Sequence, residues 1–76
     1  MDIKRLVGMA NDIARFYTAE PDHEVALDEI AGHITRFWDP RMRRALADHV
    51  AGGGEGLSDL AREAAKRVKL PVGSVL

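Results

Sequence analysis

The sequence predicts an all-α protein, a small bundle of about four helices with a tight Asp-Pro corner between helices two and three. Three observations carry that prediction. Apolar residues recur at three- and four-residue intervals in four separate stretches, which is the helical period. Proline or glycine punctuates the chain between those stretches, at Pro21, Pro40 and Gly52 to Gly54. No segment alternates apolar and polar residues between turn residues, as a half-buried strand would. The expected organisation is a single helical domain over residues 1–70 and a short apolar tail over 71–76.

Helix one is expected over about residues 2–18, because Ile3, Leu6, Val7, Ala10, Ile13, Ala14 and Tyr17 fall on one helical face, flanked by Met9 and Phe16. It stops before Glu20-Pro21, since proline disfavours helical geometry in the residue before it and suits the first turn of the next helix. Helix two is then expected from about Pro21 to Trp38. Asp22 and Glu24 suit its positive end, and Leu27, Ile30, Ala31, Ile34, Phe37 and Trp38 form the cleanest stripe in the chain. Asp39-Pro40 supplies an N-cap acceptor followed by proline at the first helical position, so helix three begins almost without a loop.

Helix three, about Pro40 to Ala51, presents Met42, Ala45, Leu46, His49 and Val50 on one side and ends at the glycines. Helix four starts near Ser58 and carries Leu57, Leu60, Ala61, Ala64 and Val68 to about Lys69, with Asp59 at its start and Lys66, Arg67 and Lys69 at its end, as the helix dipole prefers. Pro71 closes it.

At 76 residues and without cysteine, the chain has no disulfide framework, thiolate metal site or thiol nucleophile, and little room for a buried pocket. The beginning, MDIKRLVGMAND, lacks the apolar core of a signal peptide, and no apolar run approaches the length of a bilayer span, so a soluble cytoplasmic protein with no membrane partner is expected. Eleven Lys+Arg against twelve Asp+Glu give a formal charge of −1 and no overall field for nucleic acid. The charges are nevertheless segregated. Glu20, Asp22, Glu24, Asp28 and Glu29 fall in a stretch without Lys or Arg, and Arg36, Arg41, Arg43 and Arg44 follow close behind.

Catalytic material is poor. His23, His33 and His49 lack a metal-type partner at the spacing of a helical metal site, and His33 and His49 are expected to border the core. GGGEG, Gly52 to Gly56, lacks the Lys-Ser/Thr of a phosphate loop and carries an acid where an anion would bind, so it reads as a helix stop and flexible turn. Arg41, Arg43 and Arg44 occupy the start of helix three, where positive charge opposes the dipole. They read either as a solvated basic face or as a fork for the carboxylates and carbonyls of a partner. A helix-turn-helix is disfavoured by the two-residue corner and the acidic stretch upstream. Phe37 and Trp38 read as core or as apolar surface left over for a partner.

MANDIARF (residues 9–16), His33, FWDPRMR (37–43), His49 and GGEGL (53–57) together resemble the delta subunit of NAD-dependent, molybdenum-containing formate dehydrogenases, over about residues 7–65. FWDPRMR with the downstream GGEGL is the specific part. The resemblance implies a small cytoplasmic, non-catalytic subunit with no redox centre, cofactor or metal of its own. The complex it implies uses molybdenum cofactor, iron-sulfur clusters, FMN and NAD on other subunits. Its partner would be the large catalytic subunit, which it helps to assemble or stabilise. The expected contact residues are Phe37, Trp38, Asp39, Pro40, Arg41, Arg43 and Arg44, and a homodimer is one way for the isolated chain to cover its apolar surface. The alternative from another class is a small helical DNA-binding or regulatory protein.

Overall fold

Each helix begins where a side chain accepts hydrogen bonds that the first backbone amides cannot make within the helix. In a computed structural model that describes residues 2–70, α1 spans Ile3–Arg15, α2 His23–Phe37, α3 Pro40–Ala51 and α4 Asp59–Ala65. Asp2 accepts from the Lys4 amide at 2.9 Å, Asp22 from Glu24 and Val25 at 3.0 and 3.3 Å, Asp39 from Met42 at 2.9 Å, and Ser58 from Ala61 at 3.1 Å. Such caps contribute about 1 kcal/mol apiece. The all-α class is as expected, and the described residues contain no strand. The apolar tail over 71–76 lies outside the described residues.

Three helix boundaries differ from the sequence reading. Pro21 precedes α2 instead of opening it, because Asp22, with extended backbone angles, takes the capping position. Helix one ends as an α-helix at Arg15, and the chain tightens through bonds from Phe16 to Ile13 and from Tyr17 to Ala14. Helix four likewise stops at Ala65, where Lys66, Arg67 and Val68 bond three residues back, to Glu63, Ala64 and Ala65. Both ends use the narrower 3₁₀ pattern, which satisfies carbonyls that an α-helix would leave open.

The core is built on α2. Leu27, Ile30 and Ile34 are buried together with Leu6, Ala10 and Ala14 of α1, Leu46 of α3, and Leu57, Ala61, Ala64 and Ala65 at and before α4. The alanines matter as much as the larger residues. Three of them on α4 leave room for the backbones to approach, and α2 packs most extensively against this helix. Helix α1 touches the other three, whereas α2 and α3, adjacent in the chain, scarcely touch. Trp38 fills the gap at their junction, 5% exposed.

Candidate docking surface

The corner between α2 and α3 follows from two demands on one residue. Asp39 precedes proline, which drives it to extended geometry, and it caps α3, which requires the same geometry. Its angles are φ −73° and ψ 167°. Trp38 is also extended (φ −89°, ψ 140°), and its amide donates to the Ile34 carbonyl at 3.0 Å, closing α2. With Pro40 fixed at the start of α3, the turn has little freedom.

The seven residues expected to meet a partner are adjacent in the chain, but the fold divides them. Trp38 belongs to the core, whereas its neighbour Phe37 stands 69% exposed. The apolar stripe of α2 therefore turns away from the core at Phe37. The Phe37 ring lies against His33, with centroids 4.8 Å apart at 44°, and the Arg36 guanidinium lies 5.9 Å from its centroid. Asp39, Pro40, Arg41 and Arg44 are exposed. Arg43 is not: half-buried, it donates from Nη1 to the Lys69 carbonyl at 2.7 Å, and its Nε is shielded without a partner. The Lys69 amide donates in turn to Thr35 Oγ1 at 3.3 Å. One residue after α4, Lys69, is thus held by both α2 and α3, and only Arg41 and Arg44 of the three arginines are exposed.

The glycine segment ends α3, as read from its composition, and side chains pin it on several sides. Gly53, Gly54 and Gly56 have φ of 118°, 66° and 88°, a region that side chains oppose. Asn11 Nδ2 donates to the Gly56 carbonyl at 2.9 Å, and Asn11 Oδ1 accepts from the Ser58 amide at 2.9 Å. His49 Nε2 donates to the Glu55 carbonyl at 2.7 Å, which fixes the proton on that nitrogen. His49, expected to border the core, is half-buried, and its partner is a backbone carbonyl. Asn11 was not singled out by the sequence. The signal was a polar residue beside the α1 core face, paired with a distant run of glycines whose backbone groups need partners.

An open groove of about 670 Å³ runs beside the corner, between the first turns of α1 and of α3. By their burial, Leu6, Met9 and Met42 form its floor and Arg5 and Arg41 its rim, with the capping residues Asp2 and Asp39 also lining it. Among the described residues, neither Arg5, Arg41 nor Arg44 makes an ion pair. The acidic half of α2 is different. Arg67 reaches Glu24 at 2.6 Å and Asp28 at 2.9 Å, and its guanidinium is held above its ordinary pKa, first by the Glu24 hydrogen bond and then by that of Asp28. His23 Nε2 lies 3.1 Å from Glu63. The described residues contain no cluster of His, Cys, Asp or Glu able to hold a metal, and no helix long and apolar enough to cross a membrane.

No curated protein and no solved structure matches the chain. A family model does. The residues it matches, 5–65, include the Asn11 and His49 contacts to the glycine segment as well as the whole α2–α3 corner, and it describes the NADH-dependent formate dehydrogenase delta subunit FdsD. With the match covering most of its length, the chain belongs to the family of NADH-dependent formate dehydrogenase delta subunits.

Proposed function

We propose that this chain is a non-catalytic, cytoplasmic subunit that docks through the α2–α3 corner on the large molybdenum-bearing subunit of a formate dehydrogenase and supports its assembly or stability. Phe37, Arg41 and Arg44 make the contacts. Trp38, Asp39, Pro40 and Arg43 hold them in position. The observation that carries this reading is the presence of Arg41 and Arg44, exposed and without ion pairs among the described residues, near the positive end of α3. There they oppose the helix dipole by some tenths of a kcal/mol each, so the isolated helix gives no reason for them. Beside them stands an exposed aromatic ring, and aromatic and arginine side chains are the residues enriched at binding hot spots.

The test places an affinity tag on the large subunit in the native host and compares the native chain with Phe37→Ala and Arg44→Glu together. The native chain is expected to co-purify with formate-dependent NAD reduction, and the double variant to be lost from the preparation while remaining folded by circular dichroism. Retention of the variant at native levels, with full activity, would place the contact elsewhere on the molecule.

A further inference from the structure

Resting on that docking reading, we infer that the groove between the first turns of α1 and α3 receives a segment of the protein partner that carries carboxylates beside large aliphatic side chains. Leu6, Met9 and Met42 supply an apolar floor, and two of the three are only partly buried by the rest of the chain. Methionine suits such a floor because its unbranched side chain adapts to the shape of an inserted residue.

Charge identifies the occupant. Arg5 is the third residue of α1 and Arg41 the second of α3, so both guanidiniums stand near positive helix ends where they weaken their own helices. Neither makes an ion pair among the described residues. The groove's own acids do not answer them. Asp2 and Asp39 each spend an oxygen on the amide they cap, at 2.9 Å in both cases. Carboxylates brought by a partner would meet planar donors suited to bidentate contact, over an apolar floor that excludes water from one side. The side chains of Val72 to Leu76 carry no charge, so that segment has no side-chain carboxylate for either guanidinium.

The experiment uses the full chain with photo-methionine, a near-isosteric photoreactive analogue, mixed with the purified large subunit and irradiated. Crosslinks from positions 9 and 42 are expected on one partner stretch that contains carboxylates next to aliphatic residues. Arg5→Glu with Arg41→Glu is expected to weaken capture about tenfold at low salt, the equivalent of about 1.4 kcal/mol. Reversing the charge of the crosslinked carboxylates should restore it. The variant is expected to keep its fold by circular dichroism, because glutamate suits both helix starts better than arginine.

Crosslinks to a stretch without carboxylates, to residues 71–76 or to a second copy of the chain overturn the inference, as does unchanged capture by the variant. If the native chain fails to bind the large subunit at all, the docking reading falls and this one with it. If binding persists and depends on Phe37 while positions 9 and 42 give no crosslink, the groove assignment alone falls.

Discussion

Asn11, in the middle of α1, donates its carboxamide hydrogen to the main-chain carbonyl of Gly56 at 2.9 Å, across 45 positions of sequence. The same side chain accepts from Ser58, so one residue of α1 fixes the entry to α4. Asn11→Asp keeps the shape and the acceptor but puts a carboxylate oxygen where the donor stood. It is expected to lower unfolding free energy by about 1–3 kcal/mol near neutral pH, read from urea denaturation. The charged form cannot donate to the Gly56 carbonyl, and the protonated carboxyl can. The deficit should therefore shrink as pH falls and the carboxyl regains a proton to donate. A deficit that is constant with pH would mean that the donor half of the contact carries no weight.

His49 holds the same segment from the opposite direction, through Glu55. Asn11→Ala and His49→Ala should therefore be non-additive. Once one contact is lost the segment loosens and the second is worth less, with a coupling of about 0.5–1 kcal/mol in a double-mutant cycle. Strict additivity would indicate that the two contacts hold separate parts of the loop.

Two glycine substitutions should act in opposite directions. At Gly8, inside α1, an added Cβ meets nothing within 4 Å, so Gly8→Ala should stabilise by about 0.5–1 kcal/mol through helix propensity. At Gly56 the backbone is left-handed and the Cβ would lie 3.3 Å from Val7 Cγ1, so Gly56→Ala should destabilise by about 1–2 kcal/mol. Thermal unfolding of the two variants beside the native chain decides both.

Arg67 joins the turn that follows α4 to the acidic half of α2. Its pKa is raised in the folded state, so its contribution is complete below the ordinary guanidinium range and is lost only as pH rises through the still higher folded value. On the basic side the bridge is thus constant through neutral conditions, and salt is the useful probe. All three side chains are accessible to water. Arg67→Ala should move the urea midpoint less than Asn11→Ala, and the shift should fade in about 1 M salt, where the screening length is near 3 Å.

Much of the fold was legible because its decisive signals are local. Asp39-Pro40 is a cap and a first-turn proline in adjacent positions, and the residues on either side could hardly turn otherwise. The spacing of Leu27, Ile30 and Ile34 placed the core with similar directness. Phe37 was harder. It continues the same stripe, and only the angle at which α2 meets its neighbours decides that Trp38 turns inward and Phe37 outward. The role of Arg43 depends on where the chain passes after α4, and that of Asn11 on a loop far along the sequence. Neither has a local pattern. The arginine fork was read as three equivalent side chains because the sequence gives their order, while the fold supplies the carbonyl that occupies one of them.

The hold on Lys69 has a practical corollary for anyone handling this protein. Both ends of its described chain are tied to the candidate face: Asp2 lines the groove, and Lys69 is fastened to Arg43. An affinity handle or fluorophore fused at the N-terminus, next to Asp2, would sit beside the surface under study and compete with whatever binds there. The connection between α1 and α2 lies at the opposite end of a 15-residue helix, about 22 Å from the corner at 1.5 Å per residue. A label at exposed Ala19 would report on the molecule from a full helix length away and leave its working surface bare.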